Sequence, residues 1–132
     1  LAGAMLTVRG GGAKTGQTRH VPLNDEARQV LTDWRVSTGA TSGYVFPAED
    51  GGRLDNINKS WKNIMAAAGI ERFRFHDLRH TFASWLVMQG VDLNTVRDLL
   101  GHTDLKMTLR YAHLAPEHKA NAVQTLGGRW HD

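Results

Sequence analysis

The chain has 132 residues, of which 41% are hydrophobic and 22% are charged, and both fractions are ordinary for a globular protein. This length suits one domain with a single core. The net charge is +3 with the seven histidines taken as neutral, so a polyanionic partner such as nucleic acid is compatible with the sequence but not required by it. The absence of cysteine excludes disulfides, thiolate zinc sites and cysteine nucleophiles, and it fits a reducing cytosol. No apolar stretch approaches the roughly 18 residues of a membrane span.

A β-hairpin is predicted at the start of the chain. Two short extended segments, 6–9 and 18–23, flank a glycine-rich connection in the stretch "LTVRGGGAKTGQTRHVPL". Lys14 lies in this connection, where glycines allow close approach of the backbone and where a flexible ammonium group can reach outward. For this segment alone, a solvated lysine is the simpler interpretation.

Capping residues and glycine stops predict six helices after the hairpin. Asn24 and Asp92 are the clearest N-caps, and Gly39 and Gly101 are the clearest stops. The predicted helical ranges are 25–38, 56–68, 76–89, 93–100, a segment that begins at 103 or 104 and carries Tyr111, and 116–126. The resulting fold class is α+β but mainly α, in which a small antiparallel β-hairpin packs on a helix bundle.

The stretch "HDLRH" at 76–80 opens the third predicted helix and carries its most reactive side chains. At about 100° per residue, one face of this helix is expected to meet the core. That face carries Leu78, Phe82 and Trp85. The opposite side carries His76, His80 and Ala83, with Arg79 at the edge. His76 and Arg79 therefore present their tips together from a helix N-terminus, which favours an anion, and Ala83 leaves room for it.

Three interpretations of "HDLRH" are compatible with its residues. The simplest is a solvated helix start. The second is a zinc site, because His76 and His80 are four residues apart, as in the HExxH motif of metalloproteases. Asp77, however, stands where that motif has its glutamate, and Arg79 would place a cation beside the metal. The third is an anion site, in which Arg79 binds phosphate oxygens and His76 shares or transfers a proton.

A second segment, "LLGHTDLKMTLRYAH" at 99–113, favours the third interpretation. It places His102 directly after a glycine stop and carries Tyr111 further along. If the intervening helix is regular, its buried stripe consists of Leu105, Leu109 and Ala112. Tyr111 is then predicted more than about 90° away from that stripe, on the side of Met107 and off the core. A tyrosine is most often a half-buried packing residue, but one held off the core near histidines and an arginine can act as a nucleophile.

Three separated blocks of the sequence together resemble the catalytic domain of the tyrosine recombinase (phage integrase) family. The blocks are "AKTGQTRHVPL" for the hairpin, "HDLRHTFASWLVMQGVDLNTVRDLLGH" for the central helices and "TLRYAH" for the final segment. Their order and spacing agree with the family pattern of H-x-x-R, L-G-H and Tyr, and the resemblance spans about 6–126. It implies one partial catalytic domain over 1–132, with a hairpin at 6–23, a helical bundle at 24–126 and a tail at 127–132.

The resemblance implies a site that cuts and rejoins DNA without ATP, metal or cofactor. Tyr111 would attack a DNA phosphate and form a 3′-phosphotyrosine, while Arg79 would stabilise charge on the non-bridging oxygens. His76 would assist proton transfer, and His102 would hydrogen-bond the phosphate. Lys14 would protonate the departing 5′-oxygen. His80 is expected to be a neighbour in packing or hydrogen bonding rather than a further catalytic group.

One part of the family pattern has no match in the sequence. The family carries a first catalytic arginine before the hairpin, usually in a T-G-x-R-type motif, whereas Arg9 lies in a predicted strand, which is the wrong context. The chain is therefore expected to be truncated on its N-terminal side and to be weak or inactive as a recombinase by itself. The alternative from another class is a non-catalytic DNA-binding or regulatory module that keeps the fold.

The partner implied by the resemblance is double-stranded DNA, and no membrane partner is expected. In the intact protein the C-terminal helix is expected to dock on a neighbouring subunit of a homotetramer on DNA, whereas the chain by itself is expected to be a monomer. Ala120, Val123 and Leu126 give this helix a narrow apolar face, which suits such docking or packing on its own domain. The resemblance also implies a bacterial or phage-encoded protein, cytoplasmic and associated with the nucleoid.

Overall fold

The computed structural model describes residues 4–12 and 16–128 of the chain. The chain divides into two compact units, Leu1–Phe75 and His76–Asp132. The first unit contains strands β1 (Met5–Val8) and β2 (Arg19–Pro22) and helices α1 (Asp25–Thr38) and α2 (Asn58–Ala68). The second unit contains helices α3 (Asp77–Met88), α4 (Leu93–Leu100), α5 (Lys106–Leu109) and α6 (Lys119–Gln124). The predicted fold class, mainly helical α+β with one antiparallel hairpin, is confirmed. Within the described ranges, no helix has the length and apolarity needed to cross a membrane.

β1 and β2 form the predicted antiparallel hairpin in the first unit. Thr7 lies opposite His20, and its Oγ1 is 3.0 Å from His20 Nδ1. At the start of the connection, the Gly10 N–H donates to Thr18 Oγ1 over 3.2 Å. A Cβ on Gly10 would lie only 2.2 Å from the carbonyl oxygen of Gly16. This close approach therefore requires a glycine at position 10.

The ends of α1 follow the sequence prediction, whereas α2 begins later than expected. Asn24 caps α1, and its Oδ1 accepts the Ala27 N–H over 2.9 Å. Gly39 ends α1 in the left-handed conformation, with φ at 64°. Asn56 accepts the N–H of Asn58 over 2.8 Å, so its side chain forms a local turn instead of capping a helix at 56.

Two tryptophans connect the helices of the first unit to the segments that follow them. The Trp34 indole N–H donates to the Val45 carbonyl oxygen over 2.7 Å. The Trp61 indole N–H donates to the Phe73 carbonyl oxygen over 2.9 Å, and its ring meets Phe75 edge-on at 5.3 Å between centroids. Neither α1 nor α2 has a buried residue among those described. These helices are therefore held by hydrogen-bonded indoles and partly exposed apolar contacts.

The buried core of the second unit joins α3 and α4 to the segment after α5. Its apolar members are Ala83, Val87, Val96, Leu100 and Tyr111. Thr108 is fully buried among them and is the one buried polar residue in the described part of the chain. Asp92 caps α4 as predicted, because its carboxylate accepts the Thr95 N–H over 2.9 Å. The core therefore includes Tyr111, the side chain that was predicted from the sequence to be the nucleophile.

The face of α3 that was predicted to meet the core is exposed. Trp85 is 68% exposed, and Phe82 and Leu78 are each 44% exposed. Ala83 and Val87 are fully buried instead, so the prediction that Ala83 leaves room for an anion is also wrong. Apolar side chains surround most of this helix, so hydrophobic periodicity does not select one face. Ala83 and Val87 pack in one buried cluster with Val96 and Leu100 of α4.

The regular helix predicted to carry Tyr111 is much shorter than expected. α5 ends at Leu109, and a 3₁₀ turn follows at Ala112–Leu114. The Tyr111 N–H donates to the Thr108 carbonyl over 3.0 Å, a contact three residues apart in sequence. At three residues per turn, Thr108 and Tyr111 eclipse each other and are buried on the same side. The predicted stripe is therefore wrong at Leu109, which is 48% exposed.

The last helix is shorter than predicted. α6 covers Lys119–Gln124 rather than 116–126. Val123 and Leu126 are 66% and 59% exposed, so the apolar residues noted in the sequence lie at the surface. The predicted tail at 127–132 lies outside the described residues from 129 onward.

Candidate active site

A cleft of about 460 Å³ in the second unit brings the predicted site residues together. The side chains that line it are His76, Arg79, His80, His102, Lys106, Met107, Arg110 and Tyr111. Lys14, the remaining predicted site residue, lies outside the described residues. Residues from three separate sequence motifs therefore meet in one place, as the resemblance implied.

Arg79 connects the H-x-x-R motif to the L-G-H motif. Its guanidinium donates to the carbonyl oxygen of Leu100, the last residue of α4. The final carbonyls of a helix have no partner within the helix, and a cation at this end is favoured by the helix dipole. Arg79 is half-buried and lines the cleft. The same side chain thus fixes the end of α4 and presents positive charge to the cleft.

His102 is positioned by its neighbours on both sides. Gly101 ends α4 with φ at 71°, and the His102 N–H donates back to the Arg97 carbonyl oxygen over 3.1 Å. Its Nδ1 lies 2.9 Å from Oγ1 of Thr108, which is fully buried. A buried hydroxyl has no water to replace this bond, so Thr108 holds the imidazole in one orientation. Thr108 was not predicted as a site residue, since an isolated threonine in a predicted helix carries no distinct signal.

Tyr111 is buried, which corrects the prediction that it projects away from the core. It is 6% exposed, and its hydroxyl lies 2.6 Å from Nδ1 of His80. His80 is half-buried and lines the same cleft. The expectation that His80 is a neighbour in hydrogen bonding is confirmed, and its partner is the predicted nucleophile. The spacing of the motifs could not reveal this contact, because 31 residues separate the two side chains.

The pairing of His76 with His80 is a ring contact. The two ring centroids lie 5.3 Å apart at an interplanar angle of 80°, so one edge meets the other face. Nδ1 of His80 is already engaged with the Tyr111 hydroxyl. Among residues 4–12 and 16–128, no group of three or more histidine, cysteine, aspartate or glutamate side chains is arranged to hold a metal ion. This geometry does not support the zinc interpretation of "HDLRH".

Two further cations line the cleft and were not predicted. Lys106 and Arg110 are both exposed, and the Arg110 guanidinium carbon lies 5.9 Å from the centroid of the Tyr111 ring. Their spacing of four residues places them on one side of a helical turn, a signal that was available in the sequence. No acidic side chain is among the described residues that line the cleft. Its charge therefore suits an anion such as a phosphate diester.

Comparisons with known proteins identify the family of this chain. Residues 4–118 match the model of the phage integrase family. The chain is 37% identical over 115 residues to a tyrosine recombinase XerC-like protein of Caldanaerobacter subterraneus subsp. tengcongensis, covering 80% of this chain and 29% of that protein. It is 38% identical over 134 residues to tyrosine recombinase XerD of Caulobacter vibrioides, covering 92% and 43% respectively.

Solved structures carry the same fold. The catalytic domain of bacteriophage HP1 integrase is similar with a TM-score of 0.65 and 31% identity, covering 94% of this chain and 66% of that one. The XerA recombinase is similar with a TM-score of 0.70 and 26% identity, covering 94% and 46% respectively. The chain spans less than half the length of the two curated relatives. With residues 4–118 matched and the fold shared, the chain belongs to the phage integrase family of tyrosine recombinases.

Proposed function

We propose that this chain is the catalytic part of a site-specific recombinase that cuts and rejoins DNA through a phosphotyrosine. The observation that carries the proposal is the meeting of Tyr111, Arg79 and His102 in a cleft whose charged lining residues are all basic or histidine. The relatives named tyrosine recombinase and integrase support the same reaction class. The partner is double-stranded DNA, as the resemblance to the family implies. Two structures of the XerH site-specific recombinase, which share the fold, are bound to a difH substrate.

The cleavage step uses Tyr111 as the nucleophile. Its hydroxyl oxygen forms a bond to the phosphorus, and the bond from phosphorus to the 5′-oxygen breaks, which leaves a 3′-phosphotyrosine and a 5′-hydroxyl. Because the phosphotyrosine keeps the energy of the broken bond, another 5′-hydroxyl reseals the strand without ATP. Tyr111 is 6% exposed but lines the cleft, so the phosphate reaches its oxygen from the cleft side.

The other cleft residues stabilise charge and move protons. Arg79 and His102 stabilise the non-bridging oxygens as the phosphorus becomes pentavalent, and both are positioned before DNA arrives, by Leu100 and Thr108 respectively. His76 assists proton transfer from the exposed mouth of the cleft. Lys14 protonates the departing 5′-oxygen, by the resemblance of its hairpin to the family pattern. No step requires a metal ion or an organic cofactor.

Assembly on DNA is a second part of the proposal. The intact protein works as a homotetramer, in which α6 docks on a neighbouring subunit and the protein stays with the nucleoid. The exposed apolar residues Val123 and Leu126 support this docking. The chain by itself is a monomer. It is also weak or inactive as a recombinase, because none of its sequence matches the T-G-x-R-type motif that carries the family's first arginine.

The test is covalent trapping on nicked DNA. The protein at its full natural length is mixed with a pool of nicked duplexes whose sequence around the nick is randomised, and DNA-linked protein is separated on a denaturing gel. The wild type is expected to form adducts, and Tyr111→Phe is expected to bind DNA without forming them. If neither protein forms adducts although both bind DNA, the alternative of a non-catalytic DNA-binding module is correct. Efficient trapping by the 132-residue chain alone would contradict its proposed weak activity.

A further inference from the structure

We propose that His80 is a further catalytic residue, the general base that takes the proton from the Tyr111 hydroxyl. This inference rests on the proposed function, since it concerns the same cleavage step. It revises the sequence expectation that His80 has no catalytic part.

The distance between the two groups meets the first requirement for a general base. Nδ1 of His80 lies 2.6 Å from the Tyr111 hydroxyl oxygen, at the short end of the range of about 2.6–3.2 Å for direct proton transfer. Tyr111 is 6% exposed and belongs to the buried core, so its packing holds the hydroxyl in this position beside His80. In the tautomer with its proton on Nε2, His80 presents a lone pair at Nδ1, and the Tyr111 O–H donates to it.

The other cleft residues are less suited to accept this proton. Arg79, Lys106 and Arg110 are donors without an acceptor atom when charged. Nδ1 of His102 is engaged with the Thr108 hydroxyl at 2.9 Å. No carboxylate is among the described residues that line the cleft. An imidazole is therefore the acceptor that the cleft offers.

His80 is better placed than His76 for this task. His76 is exposed, and its ring meets the ring of His80 at 5.3 Å between centroids. His76 thus contacts the ring of His80, and it is Nδ1 of His80 that lies within hydrogen-bond distance of the Tyr111 hydroxyl. A nucleophile, a base in contact with it and a third group that orients the base form the arrangement that activates hydroxyl nucleophiles in general. Here these three groups are Tyr111, His80 and His76.

During cleavage one proton moves from Tyr111 to His80. The electron pair of the Tyr111 O–H bond becomes the new bond between oxygen and phosphorus, and the proton passes to Nδ1 of His80, which becomes an imidazolium. The pair of the broken phosphorus–oxygen bond stays on the 5′-oxygen, which takes its proton from the general acid of the mechanism. On resealing, the imidazolium returns its proton to the tyrosine oxygen as the phosphotyrosine bond breaks.

Three variants of the full-length protein separate proton transfer from simple positioning. His80→Ala removes both the hydrogen bond and the base, whereas His80→Asn keeps a polar group near the hydroxyl that cannot accept the proton at neutral pH. His113→Ala is the matched control, because His113 is exposed and does not line the cleft. Covalent adduct formation is timed on the nicked duplexes, with circular dichroism to compare the folded state of each variant.

Both His80 variants are expected to form adducts about 10²–10⁴-fold more slowly, with His113→Ala unchanged. Added imidazole is expected to restore part of the rate of His80→Ala, which a lost packing contact would not allow. A substrate with sulfur in place of the bridging 5′-oxygen needs no proton on its leaving group, so the defect is expected to persist with it.

Several results would overturn the assignment. A near-normal rate for His80→Asn would show that His80 only positions Tyr111. A faster rate for His80→Ala would show that its hydrogen bond inhibits Tyr111. A defect that disappears with the sulfur substrate would place His80 on the acid side of the reaction. These outcomes all require that the wild type forms adducts. If the wild type binds the nicked DNA and forms none, the proposed function itself fails and the role of His80 fails with it.

Discussion

Helices α1 and α4 begin and end in the same way, yet only α4 buries side chains. Each has a side-chain N-cap, Asn24 or Asp92, and each ends at a left-handed glycine. α4 contributes Val96 and Leu100 to the core of the second unit, whereas α1 has no buried residue in the first unit. N-cap residues and C-terminal glycines therefore determine where a helix begins and ends. They do not determine which of its faces is buried in the core.

The two units also differ in what supports their structure. In the second unit the cleft and the buried core share one residue, Tyr111. In the first unit, two indole hydrogen bonds do the equivalent structural task at partly exposed positions. Truncation of the apolar core residues in the second unit should therefore lower stability and activity together, whereas substitutions in the first unit should act through local contacts.

The largest expected difference between the units is in the cost of a valine truncation. Val87→Ala removes two methyl groups from a fully buried position in α3, which should lower the free energy of unfolding by about 2–3 kcal/mol. Val36→Ala in α1 is the matched control, because Val36 is 78% exposed and should change stability by no more than about 0.5 kcal/mol. Urea unfolding followed by circular dichroism measures both, and equal losses would contradict the contrast in burial.

Loss of the Thr108 hydroxyl should affect catalysis more than folding. Thr108→Val keeps the buried shape but removes the group that orients His102. We expect adduct formation to slow by about 10-fold, less than the 10²–10³-fold typical when a group that contacts the reacting oxygens is removed. Thr103→Val, at an exposed position of the loop after α4, should leave the rate unchanged. An unchanged rate for Thr108→Val would show that His102 needs no such support.

In the first unit, loss of the Trp61 indole hydrogen bond should lower stability. Trp61→Phe removes the bond to the Phe73 carbonyl and should cost about 1 kcal/mol of stability. Trp85→Phe in the second unit changes a side chain that is 68% exposed and should cost much less. The two thermal midpoints give the comparison, which fails if Trp85→Phe is the more destabilising change.

The smallest expected effect is a pH dependence at the α4 cap. The hydrogen bonds from the Thr95 hydroxyl and N–H lower the pKa of Asp92 below its ordinary value of 3.8. A lowered pKa in the folded state means that this contribution is complete above the unfolded pKa and is lost as the pH falls through the folded pKa. The difference in stability between wild type and Asp92→Asn should therefore change below about pH 4 and stay constant above it.

The uncharged cap of α1 provides the control for that measurement. Asn24→Ala should lower stability by about 1 kcal/mol to the same extent at pH 7 and at pH 3, because no proton is bound or released at this position. A pH-dependent loss for Asn24→Ala would show that the effect at Asp92 comes from elsewhere in the chain.

Much of the local structure could be predicted from sequence, because its causes are local. The hairpin, the caps of α1 and α4 and the site residues Arg79 and His102 follow from short motifs. The buried face of α3 could not be predicted, since apolar residues on several sides of the helix leave the choice to its packing partner. The direction of Tyr111 was missed for a related reason. A change from 3.6 to three residues per turn after α5 moves it into the core.

The identity of the modified tyrosine tests the central claim most directly. The chain has two tyrosines: Tyr44 in the first unit is 55% exposed, and Tyr111 in the second is 6% exposed. Exposure alone would favour Tyr44, whereas the proposed mechanism uses Tyr111 as the nucleophile. Trapped adducts should be digested with nuclease and protease, and the peptide carrying the nucleotide identified by mass spectrometry. We predict the nucleotide on Tyr111, and its presence on Tyr44 or on any other side chain would contradict the account.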